Sequence, residues 1–155
     1  MNLKKIITLI VIVSSIVGCQ SRQDKTLKVL NNSDSSEITF ILELNTKDNL
    51  KSEVSEFTQY LSDFIVEREP SSVYGYYISD DGNKVTLIER YNNSQDGIQH
   101  GMDFINGPNF DKFFEVFEIE SFITLGKATD EFKKWTSENG FTIEYRESIG
   151  GYVRR

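Results

Sequence analysis

The sequence predicts an α+β domain in which a four-stranded antiparallel sheet carries two helices on one face. Three observations predict it: an alternating run over residues 37–44, a hairpin signal centred on Asp81-Gly82, and apolar side chains at helical spacing on either side of that hairpin.

Taken in order, Ile38, Phe40, Leu42 and Leu44 fall on one face of the first strand and Thr39, Ile41 and Glu43 on the other. Thr46 or Asp48 then caps a helix marked by Leu50, Val54, Phe57, Leu61, Phe64 and Ile65. Glu69-Pro70 stops it, because proline disfavours helical backbone in the residue before it. Residues 73–79 and 84–91 are β-rich, and Asp80-Asp81-Gly82-Asn83 between them supplies the positive φ of a tight turn. Ser94 caps a second helical region with Ile98, Met102 and Phe104, broken at Gly107-Pro108 and resumed through Phe110, Phe113, Phe114 and Phe117. A strand over 119–125 follows. Strand, helix, strand, strand, helix, strand is the ferredoxin-like split βαβ order, spanning residues 37–126.

Residues 127–155 form an extension packed on this domain or on a partner. In it Thr129 caps a helix through Phe132 and Trp135 that ends at Asn139-Gly140, with short strands near 141–145 and 152–153. Both main helices on one face leave the other face of the sheet bare and partly apolar. A second copy of the chain is its simplest cover, so a homodimer is expected.

Ahead of the domain, Lys4 and Lys5 precede an apolar stretch over 6–13 and the small residues Ser14, Ser15 and Gly18, the layout of a secretory leader over residues 1–18. It is short for a membrane span. Ile16-Val17-Gly18-Cys19 resembles the lipobox of bacterial lipoproteins. That resemblance implies acylation of Cys19, which becomes the first mature residue, and a protein held at the cell envelope by its lipid. Gln20, in place of the aspartate that resembles an inner-membrane retention signal, favours the outer membrane in a Gram-negative cell. Residues 19–36 then read as acylated cysteine and flexible tether, since Asn31-Asn32-Ser33-Asp34-Ser35-Ser36 has almost nothing to bury.

The formal net charge is −7, and Lys4 and Lys5 leave with the leader, so the mature chain is more negative still. That argues against nucleic acid as a partner. No Lys/Arg cluster follows Cys19, so membrane contact is expected through the lipid alone. With its one cysteine acylated, the domain is left without disulfide, thiolate nucleophile or cysteine ligand. One histidine and no Asp-x-Asp-x-Asp-Gly loop give no metal-site signature, and no Gly-x-Ser-x-Gly elbow is present. No cofactor is called for.

Glu69-Pro70-Ser71-Ser72-Val73-Tyr74-Gly75-Tyr76, Asp80-Asp81-Gly82 and Glu89-Arg90-Tyr91, followed by Ser94 and His100, resemble the antibiotic biosynthesis monooxygenase (ABM) family. Gly150-Gly151-Tyr152-Val153-Arg154 is similar to the end of members with a C-terminal extension. The resemblance implies a dimeric α+β barrel with a pocket between sheet and helices in each protomer. It further implies, for enzymatic members, oxidation of quinols or polyketide aromatics by dioxygen without bound metal or flavin. A fold hosts many functions, so the alternative is a non-catalytic, lipid-anchored homodimer that binds a small apolar ligand or a partner protein.

The candidate catalytic residues are His100, Arg90 and Tyr74. His100 is either a general base toward a phenol or quinol, or a histidine hydrogen-bonded to the sheet or to a partner carboxylate that merely fixes its helix. Arg90 either holds an oxyanion or completes a structural ion pair, and Tyr74 either orients substrate or packs in the core with its hydroxyl bonded; Glu69 shares that ambiguity. Tyr76, Ile88, Met102, Phe104, Phe113, Phe114 and Phe117 either line an apolar pocket suited to a flat aromatic molecule or simply fill the core.

Overall fold

The computed structural model describes residues 28–47 and 51–154. The expected leader, the lipidated Cys19 and the cap candidate Asp48 lie outside the described residues.

Strand β1 (Val29–Asn31) pairs antiparallel with β7 (Tyr152–Arg154), Val29 opposite Arg154, so the two ends of the described chain form a small two-stranded ribbon. This corrects the reading of 31–36 as tether. Asn31 caps a 3-10 turn over Asn32–Asp34, Ser35 is buried, and the Ser36 hydroxyl donates to the Asn92 carbonyl at 2.9 Å. Polar side chains that bury little area can still be ordered where the backbone and its neighbours satisfy them.

The domain then runs β2 (Ile38–Thr46), α1 (Lys51–Val66), β3 (Val73–Ile78), β4 (Lys84–Tyr91), α2 (Ser94–Asn106), α3 (Phe110–Val116) and β5 (Phe117–Gly126). The extension adds α4 (Asp130–Glu138) and β6 (Glu144–Arg146) before β7. The main sheet has the order β3-β4-β2-β5-β6: the four antiparallel strands of a ferredoxin-like fold, with β6 joined in parallel at the β5 edge.

Local chemistry explains most boundaries. Gly82, at φ +78°, makes the β3–β4 turn, where the Asp81 carboxylate accepts from the Ser79 hydroxyl and the Asn83 amide. Thr46 ends β2, its hydroxyl donating to the Gly82 carbonyl. Two expectations shift. Asn93, not Ser94, caps α2, its side chain accepting from the Asp96 amide, while the Ser94 hydroxyl oxygen accepts from the Thr129 amide and joins α2 to the start of α4. Phe117 opens β5 and does not continue α3, because its backbone is already extended, at φ −122° and ψ 153°.

The core lies between the helices and one face of the sheet. Ile38, Phe40, Leu42 and Leu44 of β2 and Val85, Leu87 and Tyr91 of β4 meet Val54 and Leu61 of α1, Ile98 of α2, Phe113 of α3 and Phe132 of α4. On the opposite face the register sets Ile41 between Ile88 and Ile123, and Thr39 between Arg90 and Leu125, all half-buried. The extension is part of the core side: the Phe132 ring stacks on Phe40 at 5.6 Å, and the Thr136 and Tyr145 hydroxyls are hydrogen-bonded at 2.6 Å.

Candidate active site

Strand alternation and one helix face bring a polar cluster into the apolar layer. On β4 the inward side chains are Val85, Leu87, Glu89 and Tyr91, so a glutamate is buried to 3% exposure in a row that is otherwise apolar or aromatic. Tyr74 of β3 sits opposite Glu89 and Tyr76 opposite Leu87, on the same face. His100 reaches down from α2. Its Nδ1 lies 2.6 Å from Glu69 Oε2, just beyond the end of α1, and its Nε2 lies 3.3 Å from Glu89 Oε2. The Tyr91 hydroxyl spans the two carboxylates, 3.1 Å from Glu89 Oε2 and 3.4 Å from Glu69 Oε2. The Tyr74 and Tyr76 hydroxyls are hydrogen-bonded to each other at 3.0 Å, and the Tyr91 ring stacks on the imidazole at 5.2 Å.

Burial and charge oppose each other here. Burial alone would push the His100 imidazole toward its neutral form, but the Glu89 charge and the Glu69 hydrogen bond outweigh it and raise its pKa. Burial raises the Glu89 carboxyl, against the pull of His100 and the hydrogen bond from Tyr91. Tyr74, Tyr76 and Tyr91 are all raised, chiefly by burial and also by the Glu89 charge, so their hydroxyls keep their protons. Groups this close exchange protons as one unit.

A cavity of about 440 Å³ opens beside this cluster, within the range of small-molecule sites. Glu69, Tyr74, Tyr76, Glu89 and His100 form its polar end, and Phe40, Phe104, Phe113, Phe122 and Trp135 its apolar walls. Two glycines on α2 make room for the extension: a β-carbon on Gly97 would lie 3.2 Å from the Phe132 ring, and one on Gly101 would collide with the Trp135 indole. Phe132, Trp135, Thr136 and Phe141 therefore close one side of the cavity from outside the ferredoxin-like unit.

Of the sequence candidates, the structure brings His100, Tyr74, Tyr76, Phe104 and Phe113 to the cavity. Five it does not. Arg90 and Ile88 have the opposite parity on β4; Arg90 Nε donates to Thr39 Oγ1 at 3.3 Å on the far face of the sheet, so no oxyanion is held by Arg90 in this cavity. Met102 stands about 200° around α2 from His100 and is 42% exposed. Phe114 packs on Phe104, Phe110 and Phe113 without reaching the cavity, and Phe117 is fully buried against Phe113 and Phe57. Sequence reasoning missed Glu89 as a site residue. Its signal was the parity it shares with Val85, Leu87 and Tyr91.

No protein-family model matches the sequence, and no curated protein matches it. Among solved structures, MupZ from Pseudomonas fluorescens is similar with a TM-score of 0.60 at 18% identity, covering 77% of this chain and 96% of its own. Rv0793 from Mycobacterium tuberculosis gives a TM-score of 0.46 at 17% identity over 61% of this chain and 98% of its own. SO0527 from Shewanella oneidensis gives 0.44 at 17% identity, over 63% and 92%. The likeness to MupZ shows the fold, and at these identities only the fold.

Proposed function

We propose that the chain is an ABM-like, cofactor-independent monooxygenase acting on a quinol-type or other aromatic small molecule. The observation that carries the reading is the buried Glu69–His100–Glu89 cluster at the polar end of an aromatic-walled cavity. The cluster as a unit takes the proton of a ring hydroxyl. A raised carboxyl at Glu89 is a better base than an ordinary one, and the protonated imidazole stabilises the quinolate left behind. The electron-rich ring then reduces dioxygen: one oxygen atom enters the ring and the other leaves as water, so a hydroquinone gives a hydroxyquinone with no external reductant.

Dioxygen uptake with a panel of hydroquinones, without added metal or flavin, tests this. Turnover that falls by about 10²-fold or more in His100→Ala supports the role of the cluster. Equal uptake in wild type and variant would sink it. One observation favours a second reading: both imidazole nitrogens are already engaged by carboxylates, as in a histidine that only fixes its helix. The same cavity would then bind a ligand without converting it, and binding without uptake is its signature.

The protein is further proposed to act as a homodimer closed over the half-buried sheet face of Ile41, Ile88 and Ile123, and to be held at the cell envelope by acylation of Cys19. The apolar character of that face supports the first, and the lipobox-like Ile16-Val17-Gly18-Cys19 supports the second.

A further inference from the structure

The oxygens that the cluster leaves over indicate what the cavity takes. Glu69 and Glu89 direct Oε2 at His100 and Tyr91, and among the described residues no hydrogen bond engages either Oε1. Both side chains are more than nine-tenths buried, at 6% and 3% exposure, and both line the cavity. Among the described residues Thr124 Oγ1 is the one fully enclosed side-chain oxygen without a partner, so each Oε1 stays accessible, and in a cavity lined by both side chains a donor on a ligand can reach it.

The charges around the cavity are unequal. In its interior two carboxylates face one imidazole, so even a fully protonated His100 leaves one negative charge uncompensated. At the mouth Asp103 and Arg68 offset each other; Arg68 is half exposed, hydrogen-bonded to the Phe64 carbonyl and paired with Glu67. An anion entering the interior would meet like charge at low dielectric and no unengaged cation.

We propose that the cavity binds a flat molecule through a hydrogen-bond-donating head without negative charge, a phenolic hydroxyl or an ammonium, placed on the free oxygens of Glu69 and Glu89, and that it turns away carboxylate-bearing analogues. This selection rests on the reading of the cavity as a ligand site, but needs no turnover.

Calorimetric titration of the full chain at neutral pH with 1-naphthol, 1-naphthylmethylammonium and 1-naphthoate tests it, since the three share one ring system and differ in the head. The first two bind, and 1-naphthoate binds weaker by roughly tenfold or more. The isosteric changes Glu69→Gln and Glu89→Gln narrow that gap, because each removes negative charge and keeps the shape. Binding of 1-naphthoate as tight as that of 1-naphthol overturns the inference, as does the absence of binding by all three or a gap unchanged in both variants. Selectivity without dioxygen uptake leaves this inference standing and removes the oxidation; uptake without selectivity does the reverse.

Discussion

Trp135 of α4 lies directly against Gly101 of α2, where a β-carbon would run into the indole ring. The contact joins the extension to the helix that carries His100, one residue away in sequence. Gly101→Ala should therefore lower stability by about 1–3 kcal/mol through overpacking, despite the better helix propensity of alanine. Chemical denaturation measures it. Combining Gly101→Ala with Trp135→Leu should recover part of the loss, and a double variant that shows simple additivity would place the strain elsewhere.

The titrating cluster gives stability an uncommon pH dependence. Glu89 and His100 both hold their protons more tightly in the folded chain than in the unfolded one, whose reference values are 4.5 and 6.5. The folded state then binds more protons, so stability falls as pH rises, from the unfolded Glu89 value upward and again from the unfolded His100 value upward. The lowered carboxyls of Asp81 and Glu144 act in the opposite sense and at the acid end, below their own reference values. Thermal melts should show a midpoint higher near pH 5 than near pH 9 by several degrees, as a change of about 1 kcal/mol would give. In His100→Asn the part of the slope above about pH 6.5 should vanish. A midpoint that rises steadily toward alkaline pH contradicts the cluster.

The half-buried face of Ile41, Ile88 and Ile123 should close on a second copy. Sedimentation equilibrium of the acyl-free protein is expected to give twice the 17.8 kDa of one full chain, less the residues removed with the leader. Ile88→Glu should yield monomers, because it buries an unpaired charge in such an interface. A monomeric wild type removes the dimer.

Cys19 is the residue on which the anchor depends. Expressed in a bacterial host, the wild-type chain should fractionate with membranes and incorporate labelled palmitate, and Cys19→Ala should release it to the soluble fraction, since the acyl methylenes supply about 0.8 kcal/mol each. Retention of the variant in membranes would remove the anchor.

The sheet was legible because period-two patterning is strong where one face is buried: Ile38, Phe40, Leu42 and Leu44 reveal both the strand and its inward side. The same rule assigns Glu89 inward with Val85, Leu87 and Tyr91, yet a charged side chain reads as outward until its partners are known, and Glu69 and His100 lie 20 residues before and 11 after it. Phe104 follows His100 by one helical turn, so its place on the cavity was readable. Met102, two positions on, could not share that face, nor could Phe114 beside Phe113. The two close-approach glycines of α2 weakened its apolar periodicity, and they are explained only by what packs on them, Ile38, Phe40 and Phe132 against Gly97 and Trp135 against Gly101.

The ribbon of β1 and β7 brings the first and last described strands side by side, with Asn31 opposite Tyr152. Anything fastened directly ahead of Val29 is thereby a neighbour of anything fastened directly after Arg154. In a chain trimmed to begin at Val29, a short loop could splice Val29 to Arg154 into a circle, to be reopened at the Asp81-Gly82 bend without redrawing the fold.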